Sequence, residues 1–385
     1  MLSAWSFVGC EQDDPIDGFD LLSNPADRGV VDSTTITTLL GEETMQDTLV
    51  ATGSGLFLEL GQFDDLETRI LLRFNSVPDS VVIQGAKLVL NTNTFYADGS
   101  EKFSFQATVH RVTAPWDEKS VTYEEFGNAF DPTPIAEAEI FTTALGVGTV
   151  DSLFESIRFE FGEEGKNLVR DWAAGSDTLG ILIDFESSGF IKEFFSQDGN
   201  ITQPRLELAV SDSGAGGDTT IVSVADADAY IVNRLIPLPE GPLYVDNIFG
   251  HQSFVKFDLS MIPRESTINL ARLKLDVIQS NTNVKNSGFA FLVNTLEEPF
   301  TPESEVKIAT DGFLTSAVAN PQTTTLEITI TNLVQFWVTE DVENHGILLR
   351  TTSPGSDITR LAFHSSQTDP DLAPRLEVRF SSAPN

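Results

Sequence analysis

Two tandem antiparallel β-sandwiches of the jelly-roll kind, an all-β fold, are what this sequence predicts, and three observations predict it. Short segments alternate apolar and polar residues with a period of two. Gly, Pro, Asn and Asp separate those segments at close intervals. Blocks of the first half recur in the same order in the second half.

The alternation is plain in "KLVLNT", "KFSFQATVHRV", "IRFEF" and "RLELAV", and again in "RLKLDV", "LEITI" and "RLEVRF". Period two puts one face of each segment inward and the other toward water, the mark of a half-buried strand. Many such strands joined by turns suggest an antiparallel sandwich rather than an α/β fold. "NLVRDW" and "NLVQFW" each fit one helical turn. Leu168, Val169 and Trp172 then lie near one face of that turn, and Trp172 and Trp337 read as core plugs closing one end of each sandwich.

The repeat rests on four matched blocks. In "LLRFNSVPDSVVIQGAKLVL" and "FVKFDLSMIPRESTINLARLKL", Phe74 answers Phe257, Pro78 answers Pro263, Ile83 answers Ile268 and Ala86 answers Ala271. Asn167–Trp172 answers Asn332–Trp337, and "LGILIDF" answers "HGILLRT". "SQDGNITQPRLEL" answers "SQTDPDLAPRLEV", matching Ser196 to Ser366 and Pro204 to Pro374. Repeats of this kind define the architecture before any single element does. The chain of 385 residues also exceeds what one core usually serves. The expected organisation is a signal and acidic tether over 1–32, sandwiches over 33–212 and 218–385, and a Gly-rich linker over 213–217 within "SDSGAGGDTT".

The balance of 58 acids against 23 Lys plus Arg gives a net charge of −35. Nucleic-acid binding draws on basic residues that release counterions, so nucleic acid is not an expected partner. The acidity suits a surface exposed to a salty medium. It is also compatible with structural calcium, although no Asp/Asn cluster has an ordered calcium-loop spacing. No other cofactor is expected, and no run of about 18 apolar residues crosses a membrane.

Cys10 is the only cysteine, so an intramolecular disulfide is excluded. A catalytic thiol wants a partner histidine, and His110, His251, His345 and His364 stand in no cysteine-protease motif. Phe7-Val8-Gly9-Cys10 resembles the bacterial lipobox, in which a small residue precedes a cysteine that becomes lipidated. Glu11, Asp13 and Asp14 then begin the tether. "MLSAWSFVG" departs from a signal peptide in lacking Lys and Arg and in being short. The expectation is lipidation at Cys10 and a bacterial cell-envelope location, anchored at the outer membrane or cell surface; the alternative is an ordinary free cysteine in a disordered tail, and without an anchor the expected location is secreted.

Each half resembles the DNRLRE domain, also called the disaggregatase-related repeat, a family classed as a carbohydrate-binding module. Asp228-Ala229-Tyr230-Ile231 matches its opening element. Arg73-Phe74-Asn75 with Val77-Pro78, and Lys256-Phe257-Asp258 with Ile262-Pro263, match its basic strand. Trp116-Asp117-Glu118 with Val121-Thr122-Tyr123 match its Trp-x-Glu element, and both halves carry its closing elements. The second half has Phe300 and Glu303 where Trp-x-Glu belongs. The resemblance covers nearly everything after residue 33 and specifies fold better than activity. It implies a secreted or surface β-sandwich, often appended to polysaccharide-degrading enzymes, with some members binding acidic polysaccharides such as alginate.

No catalytic constellation accompanies these motifs. H-E-x-x-H is absent, Ser54 in "ATGSGLF" lacks nucleophile-elbow spacing, and the Gly-rich linker lacks Gly-Lys-Ser/Thr. Glu118, Glu124 and Glu125 lie near Trp116 and Tyr123, but with this many acids such proximity carries little information. The expected activity is therefore non-catalytic polysaccharide binding. The candidate contacts are Arg69, Arg73, Trp116, Tyr123, Tyr230 and Lys256. Sugar rings stack on aromatic faces, and guanidinium pairs with uronate carboxylates. Ordinary strand charges explain the same basic residues. The competing reading is a structural or adhesion lipoprotein whose sandwiches act as spacers or protein-contact modules.

Overall fold

The computed structural model describes residues 30–382 apart from 47–50, 80, 97–103, 142–154, 200–201, 212–217, 286–287, 302–305 and 311. Cys10, most of the acidic tether and the Gly-rich linker lie outside the described residues. Among the described residues, strand accounts for 50% and helix for 8%, in several antiparallel sheets. The all-β expectation holds.

In chain order the strands begin with β1 (Val30–Ile36), β2 (Leu39–Gln46), β3 (Phe57–Phe63), β4 (Leu66–Arg73), β5 (Val82–Tyr96) and β6 (Ser104–Arg111). The short helix α1 (Tyr123–Phe126) precedes β7 (Ala136–Phe141) and β8 (Ser156–Glu160). Helix α2 (Glu163–Ala173) precedes β9 (Ile181–Phe185), β10 (Ile191–Phe195) and β11 (Arg205–Ser211). Then come β12 (Asp218–Val224), β13 (Ala227–Arg234), β14 (Leu243–Asp246), β15 (His251–Phe257) and β16 (Thr267–Asp276). The chain continues through β17 (Phe289–Thr295), β18 (Leu314–Ala319) and β19 (Thr325–Thr329) to helix α3 (Thr331–Val338). It closes with β20 (Ile347–Thr351), β21 (Arg360–Phe363) and β22 (Arg375–Ser382).

The first sandwich is one curled sheet in the order β12-β11-β5-β10-β3-β4-β9-β6-β7, with β13 on β4 and β8 on β5. β5 turns the corner between its layers. Val82–Val89 pairs with β11, and Thr92–Tyr96 pairs with β10. Leu88 and Leu206 of one layer share a core with Leu60, Ile70 and Ile183 of the other. The second sandwich packs β1-β22-β16-β19 against β18-β17-β20-β15-β2, with a β14-β21 ribbon beside them. Leu273 and Val378 meet Phe291, Val293 and Leu349 in its core.

The repeat is visible in details that no composition carries. The register slips between Ile268 and Leu270 where β16 meets β22, and between Ile83 and Gly85 where β5 meets β11. These are matching positions of the two halves, so one bulge is built twice. α2 and α3 are longer than the single turn expected, but they bury the expected faces. Leu168, Val169 and Trp172 are buried in the first core, and Leu333, Val334 and Trp337 in the second.

Strand pairing does not divide the molecule at the linker. β12 and β13 lie beyond residue 217, yet β12 pairs with β11 and β13 with β4 of the first sandwich. β1 and β2 open the chain, yet β1 pairs with β22 and β2 with β15 of the second. The two halves exchange their opening strands. The registers match: Ala227 faces Arg73 as Gly41 faces Lys256, and Tyr230 faces Ile70 as Thr44 faces Ser253. β1 also begins at Val30, inside the expected tether.

Candidate functional site

The exchange brings the two incomplete motif sets together. Trp116-Asp117-Glu118 follows β6, and Asp228-Ala229-Tyr230 lies in β13; both sit in the first sandwich. Glu118 Oε1 accepts from the Asp228 backbone N–H at 2.9 Å and from the Gln197 side-chain amide at 3.4 Å. The Gln197 backbone N–H donates to Asp228 Oδ2 at 2.5 Å. Burial pushes the Asp228 carboxyl up to about 7. The Gln197 bond opposes that rise, and the charges of Glu118 and Asp198 add to it.

On the outer face of β4, Arg69 lies over the Tyr123 ring, 5.3 Å from its centroid, and Arg73 lies over Trp116 at 5.2 Å. Thr122 caps α1 by accepting from the Glu125 N–H at 3.2 Å, which sets Tyr123 at the start of that turn. Trp116 Nε1 donates to the Leu179 carbonyl at 2.8 Å. Both rings are half-buried and seal the small outer cluster of Leu71, Val112 and Ile231. The guanidinium charges are already engaged. Arg69 meets Glu67 at 2.9 Å and Asp184 at 3.1 Å, and Arg73 meets Asp226 at 3.7 Å. Neither is a spare cation for a uronate.

Beside Tyr123 a cleft opens between the sandwiches, and the exchanged strands form its walls. One compartment, about 480 Å³, is lined by Tyr123 and Ile231–Arg234 from the first sandwich, with Phe249 and His251 from the second. A second compartment, about 560 Å³, runs along β2 and the segment 238–244, and shares Gln46, Leu238 and His251 with the first. Ligand sites typically occupy roughly 300–1,000 Å³.

Under the cleft the joint between the sandwiches is ionic and buried. Arg360 donates two 2.9 Å hydrogen bonds to Asp65. Arg234 stacks on Phe249, with the guanidinium 3.8 Å from the ring centroid, and lies 3.4 Å from Asp65. Asp246 accepts from the Phe249 N–H at 2.8 Å and binds His251 Nδ1. Deeper in, Glu59 faces Glu193 as its strand partner, and Lys285 of the second sandwich reaches both. Burial raises Glu59 well above the usual carboxylate range, and the Glu193 charge adds to it against Lys285. Burial likewise brings Glu193 up to about 7.

Arg69, Arg73, Trp116 and Tyr123 are thus gathered on one face, and Tyr123 also enters the cleft. Tyr230 requires correction. Its residue borders the cleft, but it is fully buried in the first core, so its ring offers no stacking platform. Period-two alternation explains this, since Tyr230 shares the inward face of β13 with Asp228 and Val232. Lys256 stands on β15 in the second sandwich, at the position equivalent to Arg73 and apart from the other candidates. His251, Asp246, Arg234 and Phe249 were not among the expected residues. The available signal was "DNIFGH", where Asp246 closes a turn onto Phe249 and Gly250 takes φ 66°. Among the described residues, no three His, Cys, Asp or Glu side chains group to hold a metal ion. A scan against protein-family models finds no match, and neither does a search of curated proteins.

Proposed function

We propose that this is a non-catalytic, extracytoplasmic glycan-binding protein whose ligand lies in the cleft between the sandwiches. The observation that carries the reading is the convergence on one cavity of Tyr123, Phe249 and His251 rings with the polar side chains of Asn233, Gln46 and Arg234. Rings that stack on sugar C–H faces, edged by groups that bond hydroxyls, are what a glycan needs. The motif resemblance to the DNRLRE domain supports the same class. Cys10 is the proposed lipid anchor, and the acids after it form the tether to the cell surface.

Affinity electrophoresis of the full chain carrying Cys10→Ala tests the reading, in gels of alginate, pectin, xylan or laminarin with and without calcium. Retardation by one glycan, lost in Tyr123→Ala, is the expected result; no retardation on an extended panel overturns it. Membrane fractionation of wild type against Cys10→Ala tests the anchor, and unchanged fractionation sinks it. The buried Arg360–Asp65 contact favours a second reading, a stiff spacer or adhesion module, because it fixes the two sandwiches together. That reading gains if every gel is silent.

A further inference from the structure

The joint between the sandwiches presses an amine against a carboxyl group. Lys285, from the segment before β17, is only 8% exposed. Its Nζ lies against Glu193 Oε2 on β10 and 3.8 Å from Glu59 Oε1 on β3. Both glutamates are fully buried and face each other as strand partners. Asn93 Nδ2 donates to the other Glu193 oxygen, Oε1. The Phe57 ring covers Nζ, with its centroid at 5.1 Å. Neither Glu59 oxygen has a hydrogen-bond partner among the described residues, which is costly for a group that only holds the fold together.

Each part suits amide formation. Burial favours the uncharged forms of Glu193 and Glu59, and an uncharged carboxyl is the better electrophile. Asp357, 3.2 Å from Nζ, is the other carboxyl in reach. Burial raises it, but the Lys285 charge and hydrogen bonds from Thr359 and Asn247 outweigh that and hold it below the usual range. It stays an ionised partner. Asn93 is placed to stabilise charge that develops on Oε1 during attack. Groups held in contact by a fold react as if at roughly 10⁵–10⁸ M in well-oriented cases.

We infer that Lys285 and Glu193 condense within the folded chain into an amide that joins the two sandwiches covalently. The Nζ–Cδ bond forms and the Cδ–Oε2 bond breaks. Two of the three ammonium protons leave with Oε2 as water, and the third stays on the amide nitrogen. Glu59 carries protons from Nζ to Oε2 and ends as it began. No oxidant, reductant or further reactant enters. Cys10 is the only cysteine, so a disulfide cannot tie the sandwiches together. An amide does so without redox chemistry, and independently of any glycan in the cleft.

The test is tryptic digestion of the full chain after denaturation, read by tandem mass spectrometry. Trypsin does not cut after an acylated lysine. The expected product is a branched peptide, 193–205 joined at Glu193 to 275–307 left uncut at Lys285, and lighter than the two together by one water. Linear 193–205 and 275–285 at their full masses in its place overturn the inference. So does an amide mapped to Asp357 or to Glu59. This map of the wild-type chain decides the bond without any variant. Lys285→Arg should then give only linear peptides. Glu59→Gln, with its fold checked by circular dichroism, should also lose the branched product. The branched product at wild-type yield in folded Glu59→Gln would overturn the part given to Glu59.

Discussion

Arg360 grips Asp65 across the joint between the sandwiches with two parallel 2.9 Å hydrogen bonds, and both residues are buried. The fork geometry matches a carboxylate, which an ammonium would not do. Removing one partner strands a buried charge. Arg360→Ala is therefore expected to destabilise the protein by about 3–5 kcal/mol, read from urea unfolding. Arg360→Lys should recover only part of that loss.

Glu59 and Glu193 set a pH dependence. Both carboxyls have raised pKa values when folded, so the folded state holds protons that the unfolded chain has released. That contribution is unpenalised below the ordinary Glu pKa, and stability falls as pH rises from there through the folded values. Glu59→Gln mimics the protonated form. It is expected to remove one proton's share of the slope, about tenfold in the folding equilibrium per pH unit. Urea midpoints between pH 5 and 8, with and without Glu59→Gln in a Lys285→Arg background that forms no amide, measure it, and parallel slopes would refute it.

The exchanged strands tie the halves into one folding unit. Fragments cut at the linker, 33–212 and 218–385, each lose strands that their own sandwich needs, and neither is expected to give a dispersed amide NMR spectrum alone. A circular permutant offers the positive test. Residues 30–46 grafted after 382 through a short Gly linker keep the β1–β22 pairing and should fold. A folded 33–212 fragment would contradict the exchange.

Trp172 packs its ring 5.7 Å from Phe74 in the first core. Trp172→Ala is expected to cost about 3–5 kcal/mol, the usual range for emptying a Trp site. Because the sandwiches interlock, the variant should lower one shared thermal transition. Two separated transitions in calorimetry would show that the sandwiches unfold independently.

Much of the fold was legible because alternation depends only on which side chains avoid water. "RLELAV" and "RLEVRF" identify β11 and β22, and Trp172 and Trp337 lie in the cores that their spacing suggested. The matched blocks carried the repeat down to its bulge. The candidate site was half legible. Arg69, Arg73, Trp116 and Tyr123 share a face because three local motifs converge there. Tyr230 misled because a motif names a residue without saying which side of the strand it takes.

By itself, the sequence determined the strand class, the repeat, the two helix plugs and the net charge of −35. Only the tertiary structure decided which sandwich each opening strand joins. β2 and β13 are equivalent segments with the same register against β15 and β4. Each pattern satisfies either sheet, so local sequence cannot choose between them. The cleft follows from that choice, because the exchanged strands β2 and β13 supply its walls.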